Sequence, residues 1–245
     1  MTISLVATSH GTGVAAARTA VTGLVDAVRQ ASPCLDVREA FVDVQEPSVG
    51  RVVESLDRRA VVVPLLLAPG FHVHVDIHRA VDRPSAVAAR TLGPDRRLTD
   101  VLLTRLAAAG ATKEDVIVLG VAGSTDERAL RSVDAAARSL GSRWGSPVPV
   151  GHVGGAGTPI EEIVQGASRT GRRVVVAAYL MAPGHFYDRL LGCGADAVTR
   201  PLLDGSEVEP QLVSLVLDRF AEAADLLDSP LSRGGGDVTE ARHVR

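Results

Sequence analysis

Cysteine is scarce in this 245-residue chain. Cys34 and Cys193 stand far apart with no CxxC spacing, so neither a disulfide framework nor a structural zinc site is read from them, and a reducing cytoplasm is the simplest compartment. Lysine is scarcer still: Lys113 stands alone among 26 Lys and Arg residues, and no basic arm offsets a formal charge of −3. A nucleic-acid partner is therefore not expected. No apolar run approaches the roughly 18 residues of a membrane span, and no basic segment precedes the first strand, so neither a span nor a signal peptide is predicted. Aromatic residues amount to only 3%, yet 46% apolar and 22% charged residues describe a globular protein rather than a disordered, collagen-like or toxin-like chain. Codon preference is the simplest cause of the arginine bias. Arginine nevertheless supplies rigid donor forks suited to carboxylates.

What is present is a regular alternation. Continuous Val/Leu/Ala runs alternate with segments of helical period, the pattern of parallel strands covered on both faces by helices, so the fold class is α/β. Strands are predicted near 3–8, 36–43, 60–67 and 86–91, with helices near 13–30, 47–57, 73–81 and 97–109. The order then repeats. Strands follow near 115–121, 147–153, 173–180 and 194–199, and helices near 126–141, 159–168, 185–191 and 207–225. Ala68-Pro69-Gly70 matches Ala182-Pro183-Gly184 at an offset of 114, and Pro47/Pro159 and Gly11/Gly123 match at 112. This favours two similar α/β domains, 1–110 and 111–227, each a parallel sheet flanked by helices, and a mobile tail over 228–245. In this register His10 falls opposite Ala122 and His72 opposite Phe186. The first half keeps imidazoles that the second lacks, which points to asymmetric chemistry.

Working groups in open parallel sheets lie beyond the carboxyl ends of the strands. The first strand ends in Ser9-His10-Gly11-Thr12-Gly13, where glycines let the backbone turn tightly beside a histidine. The third leads into Gly70-Phe71-His72-Val73-His74-Val75-Asp76-Ile77-His78, a cluster with metal-like composition. His72 precedes the helix predicted from about Val73 and sits at the crevice lip. His74 and His78 share a helix face and fit a solvated stripe as well as a metal site. Asp43 ends the second strand and can point into the crevice, whereas Glu46 before Pro47 suits either a helix N-terminus or a functional role. Two imidazoles and an acid at neighbouring strand tips can hold a divalent ion or accept protons. Metal insertion into a tetrapyrrole needs both, because the macrocycle loses two N–H protons as the ion is desolvated.

At these residues the chain resembles the sirohydrochlorin chelatases, the class II chelatase family of cobalt-inserting cobalamin-route and iron-inserting sirohaem enzymes. The motifs are His10-Gly11-Thr12, Ala40-Phe41-Val42-Asp43 through Glu46-Pro47-Ser48, and Val62-Val63-Pro64-Leu65-Leu66-Leu67 leading to Gly70-Phe71-His72 and Asp76-Ile77. The resemblance implies an active-site cleft between the two domains that holds the tetrapyrrole, and Fe²⁺ or Co²⁺ insertion into sirohydrochlorin there, with His10 and His72 as metal-site residues and Asp43 as acidic helper. The metal is then a substrate and no organic cofactor is expected. Four positions depart from the family's usual pattern: Thr12 for Ser, Asp43 for Glu, Phe71 for Gly, and His74 where Arg or Lys is common; with the shorter Asp43, Glu46 stays an alternative helper. For a substrate with eight carboxylates, Arg79 and Arg189 are candidate propionate or acetate partners as well as candidate solvated helix residues. His185, Gly11 and Gly70 complete the expected substrate contacts. A monomer with two facing halves is expected, without nucleic-acid or membrane partners. A histidine phosphatase would need Arg where Ser9 stands, and neither GxGxxG nor a Walker pattern is present. A non-catalytic tetrapyrrole or metal carrier remains the alternative.

Overall fold

The computed structural model describes residues 3–228, except for the side chains of residues 71–74 and 228. The tail expected over 228–245 therefore lies almost wholly outside the described residues. In the first half β1 (Ile3–Ser9), α1 (Ala15–Ala31), β2 (Val37–Phe41), α2 (Val49–Ser55), β3 (Arg59–Pro64), α3 (Phe71–Ala80), β4 (Ala86–Ala88) and α4 (Arg96–Ala108) alternate without exception. The second half repeats them as β5 (Val116–Val121), α5 (Glu127–Trp144), β6 (Val150–His152), α6 (Ile160–Ser168), β7 (Val174–Ala178), α7 (His185–Leu191), β8 (Ala197–Val198) and α8 (Pro210–Asp228). Each half forms a four-stranded parallel sheet, ordered β2-β1-β3-β4 and β6-β5-β7-β8.

The central strands β1, β3, β5 and β7 are mostly apolar and buried because both faces are covered, whereas β2 at a sheet edge carries Arg38 and Glu39. In β1, Leu5 and Ala7 enter one core while Val6 enters another; in β7, Val175 and Ala177 divide from Val174 and Val176 in the same way. The outer faces carry separate cores, one beneath α2 and α3 and the other beneath α6 and α7. The inner faces share one. That common core joins Leu5, Leu24 and Leu102 of the first half to Ile117, Leu140 and Leu215 of the second.

The helices that close the halves cross over. Helix α8, the last described element, packs on α1, β3 and β4 of the first half, whereas α4 packs on α5 and β7 of the second. Arg219 of α8 is fully buried: Nε and Nη2 donate to the carbonyls of Thr91 and Leu92 at 3.0 Å, and Nη2 also meets Asp95 Oδ2 at 2.9 Å. Asp95 is in turn the N-cap of α4, accepting from the Arg97 backbone N–H at 3.0 Å. Among the described residues no helix is long and apolar enough to cross a membrane.

The backbone corrects one part of the repeat register. Ser9 pairs with Phe41 and Val121 with His152, so the offset falls from 112 to 111 between the first and second strands of each half. The connection in the second half is one residue shorter. Pro159, at the N-cap of α6, therefore corresponds to Ser48 at the N-cap of α2 rather than to Pro47. The same shift places His152 opposite Phe41, so the second half does carry an imidazole at a strand tip.

Candidate functional site

A cleft of about 520 Å³ opens at the carboxyl ends of both sheets, with α1 on one wall and α5 on the other. This is a size ordinary for small-molecule sites. Its first-half lip is fixed by backbone contacts between strand tips: Val42 N–H donates to Ser9 O and Asp43 N–H to His10 O, both at 2.9 Å. Gly11 sits at φ +91°, and a Cβ there would lie 1.9 Å from the Asp43 carbonyl oxygen. Only glycine fits. Gly123 repeats the device at φ +98°, its would-be Cβ 1.8 Å from the Gly154 carbonyl oxygen. The loop beyond Gly11 is held by Gln45, whose Oε1 accepts from Thr12 N–H at 2.9 Å.

His10 is exposed at this lip and lines the cleft, as do Gly11 and Gly70, the residue capping α3. His72 lies in the first turn of α3, but its side chain and that of His74 are outside the described residues. Among the described residues no group of three His, Cys, Asp or Glu is placed to hold a metal ion. Asp43 does not line the cleft. It is exposed and turns to its own loop, where Oδ1 accepts from Val44 N–H at 2.7 Å and Val44 adopts a left-handed φ of 65°. Glu46 takes the structural role, accepting from Ser48 N–H at 2.9 Å at the start of α2.

Across the cleft His185 opens α7, exposed and edge-on to Phe186 with ring centroids 5.6 Å apart. Arg189 lies a turn further on and is bonded to Glu161 at 3.1 Å, away from the lining. Arg79 and His78 are exposed on α3. His78 borders a second cavity against α8, where Arg90 is clamped to Glu222 at 2.9 and 3.0 Å.

Four lining residues escape the sequence reading. Arg18 in the first turn of α1 bonds to the Thr12 and Gly13 carbonyls. Gln45 steadies the loop. Tyr179 is buried with its hydroxyl unpartnered among the described residues, and burial followed by the nearby Asp95 charge pushes its pKa up. His152 is also buried with Nδ1 unpartnered; burial holds its pKa below the usual imidazole value, opposed by Asp134, so the neutral ring is favoured. Applying the strand-tip rule to β6 would have found His152. The described lining contains no Asp or Glu and a single Arg, so the cleft favours an anionic ligand.

Residues 4–109 match the CbiX family model. No curated protein matches the sequence. Among solved structures, the cobalt complex of the sirohydrochlorin chelatase SirB from Bacillus subtilis subspecies spizizenii superposes with a TM-score of 0.73 at 18% identity, covering 95% of this chain and 98% of that one. SirB from Bacillus subtilis with Fe³⁺ gives 0.73 at 20% identity, covering 92% and 97%. CbiX, described as the terminal enzyme for siroheme biosynthesis in denitrifying bacteria, gives 0.65 at 15%, covering 90% and 99%. The likeness to the CbiX family is thus confined to residues 4–109, and the two halves together share the fold of the solved sirohydrochlorin chelatases.

Proposed function

We propose that this protein inserts Fe²⁺ or Co²⁺ into sirohydrochlorin, releasing two protons, in the cleft between its halves. The observation that carries this reading is His10 exposed at the tip of β1 on the lip of a cleft whose described lining has no Asp or Glu, within the segment matched by the CbiX family model. The metal is a substrate here, so a weak, open ligand set serves better than a closed one: the ion has to leave the protein for the macrocycle. Imidazole suits both tasks. It binds first-row divalent ions, and with an ordinary pKa near 6.5 it accepts a pyrrole proton at neutral pH. His10 and His72 are assigned to the ion and the protons. Gly11, Gly70 and His185 are assigned to contacts with the macrocycle, and Asp43 to a supporting role through the loop it shares with His10. The solved relatives named with cobalt and Fe³⁺ support the choice of metals. A monomer acting in a reducing cytoplasm fits the facing halves and the free Cys34 and Cys193.

Sirohydrochlorin incubated separately with Fe²⁺, Co²⁺ and Ni²⁺ and substoichiometric protein should show its absorption spectrum convert over many turnovers. A carrier would stop at one equivalent. His10→Ala and His72→Ala should each lower the rate by about a hundredfold, within the range for loss of a general base, while circular dichroism stays unchanged. Full turnover in both variants would remove the assignment.

A further inference from the structure

We infer that Arg18 anchors a peripheral carboxylate of the tetrapyrrole and thereby fixes which edge of the macrocycle faces the first half, an inference that rests on the chelatase reading above. Three observations converge on this residue. The first is its isolation: it is the single Arg or Lys of the described cleft lining, with no Asp or Glu beside it in that lining. No described acidic side chain pairs with it, whereas Arg189, Arg90 and Arg128 are bonded to Glu161, Glu222 and Asp126.

The second is its preorganisation. Nε donates to Thr12 O at 2.9 Å and Nη2 to Gly13 O at 3.0 Å. A guanidinium has five N–H donors, so these two bonds set its plane and leave three. The remaining edge of Nη1 and Nη2 is the fork that grips a carboxylate through two parallel hydrogen bonds. Little side-chain entropy is then left to lose on binding.

The third comes from the internal repeat. At the offset of 112, Ala17 and Val21 of α1 correspond to Ala129 and Val133 of α5, and all four line the cleft. Between them Arg18 corresponds to Leu130, which also lines it. The two walls match on either side of this position and differ there by a cation against an isobutyl group. The helix ends differ in the same sense: α5 starts with an Asp126 cap and Glu127, whereas α1 has no side-chain cap and no acid in its first turn. A polycarboxylate therefore meets positive potential on one wall only. The macrocycle edge nearest α1 bears the gripped carboxylate, and the opposite edge lies on Leu130.

The test is an absorbance titration of metal-free sirohydrochlorin and of its octamethyl ester against the wild-type protein, Arg18→Ala, Arg18→Lys and Leu130→Ala. Arg18→Ala should weaken binding of the free acid by at least about tenfold, as loss of a charge-assisted hydrogen bond does, and leave binding of the ester within twofold. Arg18→Lys should recover part of the loss, and Leu130→Ala should not discriminate acid from ester. Equal binding of the free acid by Arg18→Ala and wild type would overturn the anchor and leave the chelatase reading standing. Equal loss of acid and ester would also overturn it, since Arg18 would then act only by bracing the Thr12–Gly13 loop. Failure of the wild-type protein to bind sirohydrochlorin would instead overturn the reading on which the anchor rests.

Discussion

Gly11 shows how much a single residue fixes in the cleft lip. Its left-handed φ and the carbonyl of Asp43, 1.9 Å from any added Cβ, make alanine doubly unfavourable there. Gly11→Ala should cost more than about 1 kcal/mol, seen as a lower denaturation midpoint, and should displace His10 enough to slow turnover. Tyr179 predicts the opposite sign. Its buried hydroxyl has no partner among the described residues, so Tyr179→Phe removes a desolvated polar group and should leave the protein as stable or up to about 1 kcal/mol more stable by thermal melting. The two glycines at offset 112 and the histidine beside the first were legible in the sequence because a strand tip and a tight turn are local features. Arg18 and Tyr179 were not. Which side of a helix or strand end meets another part of the chain depends on packing that no local pattern encodes.

Among the elements, α8 and α4 are tied at Asp95. Burial pushes the Asp95 carboxyl up, but hydrogen bonds from the Arg97 side chain and backbone and from Arg219 outweigh it and hold the pKa at about 2, below the ordinary 3.8. A depressed carboxyl pKa stabilises the fold at pH values above the unfolded-state pKa and ceases to do so as pH falls through the folded-state value. This contribution, about 2 kcal/mol from the shift, should therefore be complete above about pH 5 and fade between about pH 4 and 2. Arg219→Met should reduce the acid-dependent part. It should also destabilise at neutral pH by about 3 kcal/mol, because Asp95 and the Thr91 and Leu92 carbonyls lose a buried partner. Chemical denaturation followed at pH 7, 4 and 3 checks both effects. Helical periodicity over 207–225 shows that α8 exists; it does not show that a charged residue on it is fully buried.

At the scale of the whole molecule the two halves are not independent. Helix α8 covers β3 and β4 of the first sheet and α4 covers β7 of the second, around one shared inner core. A fragment ending at residue 110 lacks the helix that covers its own sheet, and should lack the cooperative unfolding transition and dispersed amide spectrum of the full chain. Adding a separate peptide spanning residues 207–228 should restore part of both. The α/β class, the order of the sixteen described elements, the internal repeat and the histidine at the first strand tip are all legible from residue order alone, because strand hydrophobicity, helical period and turn glycines act over a few neighbouring residues. The folded chain alone reveals which helix closes which sheet, that Arg18 and not Arg79 or Arg189 lines the cleft, and that His152 answers Phe41. Those outcomes depend on contacts between residues a hundred or more positions apart, or on one-residue differences in connection length, and neither leaves a local pattern to read.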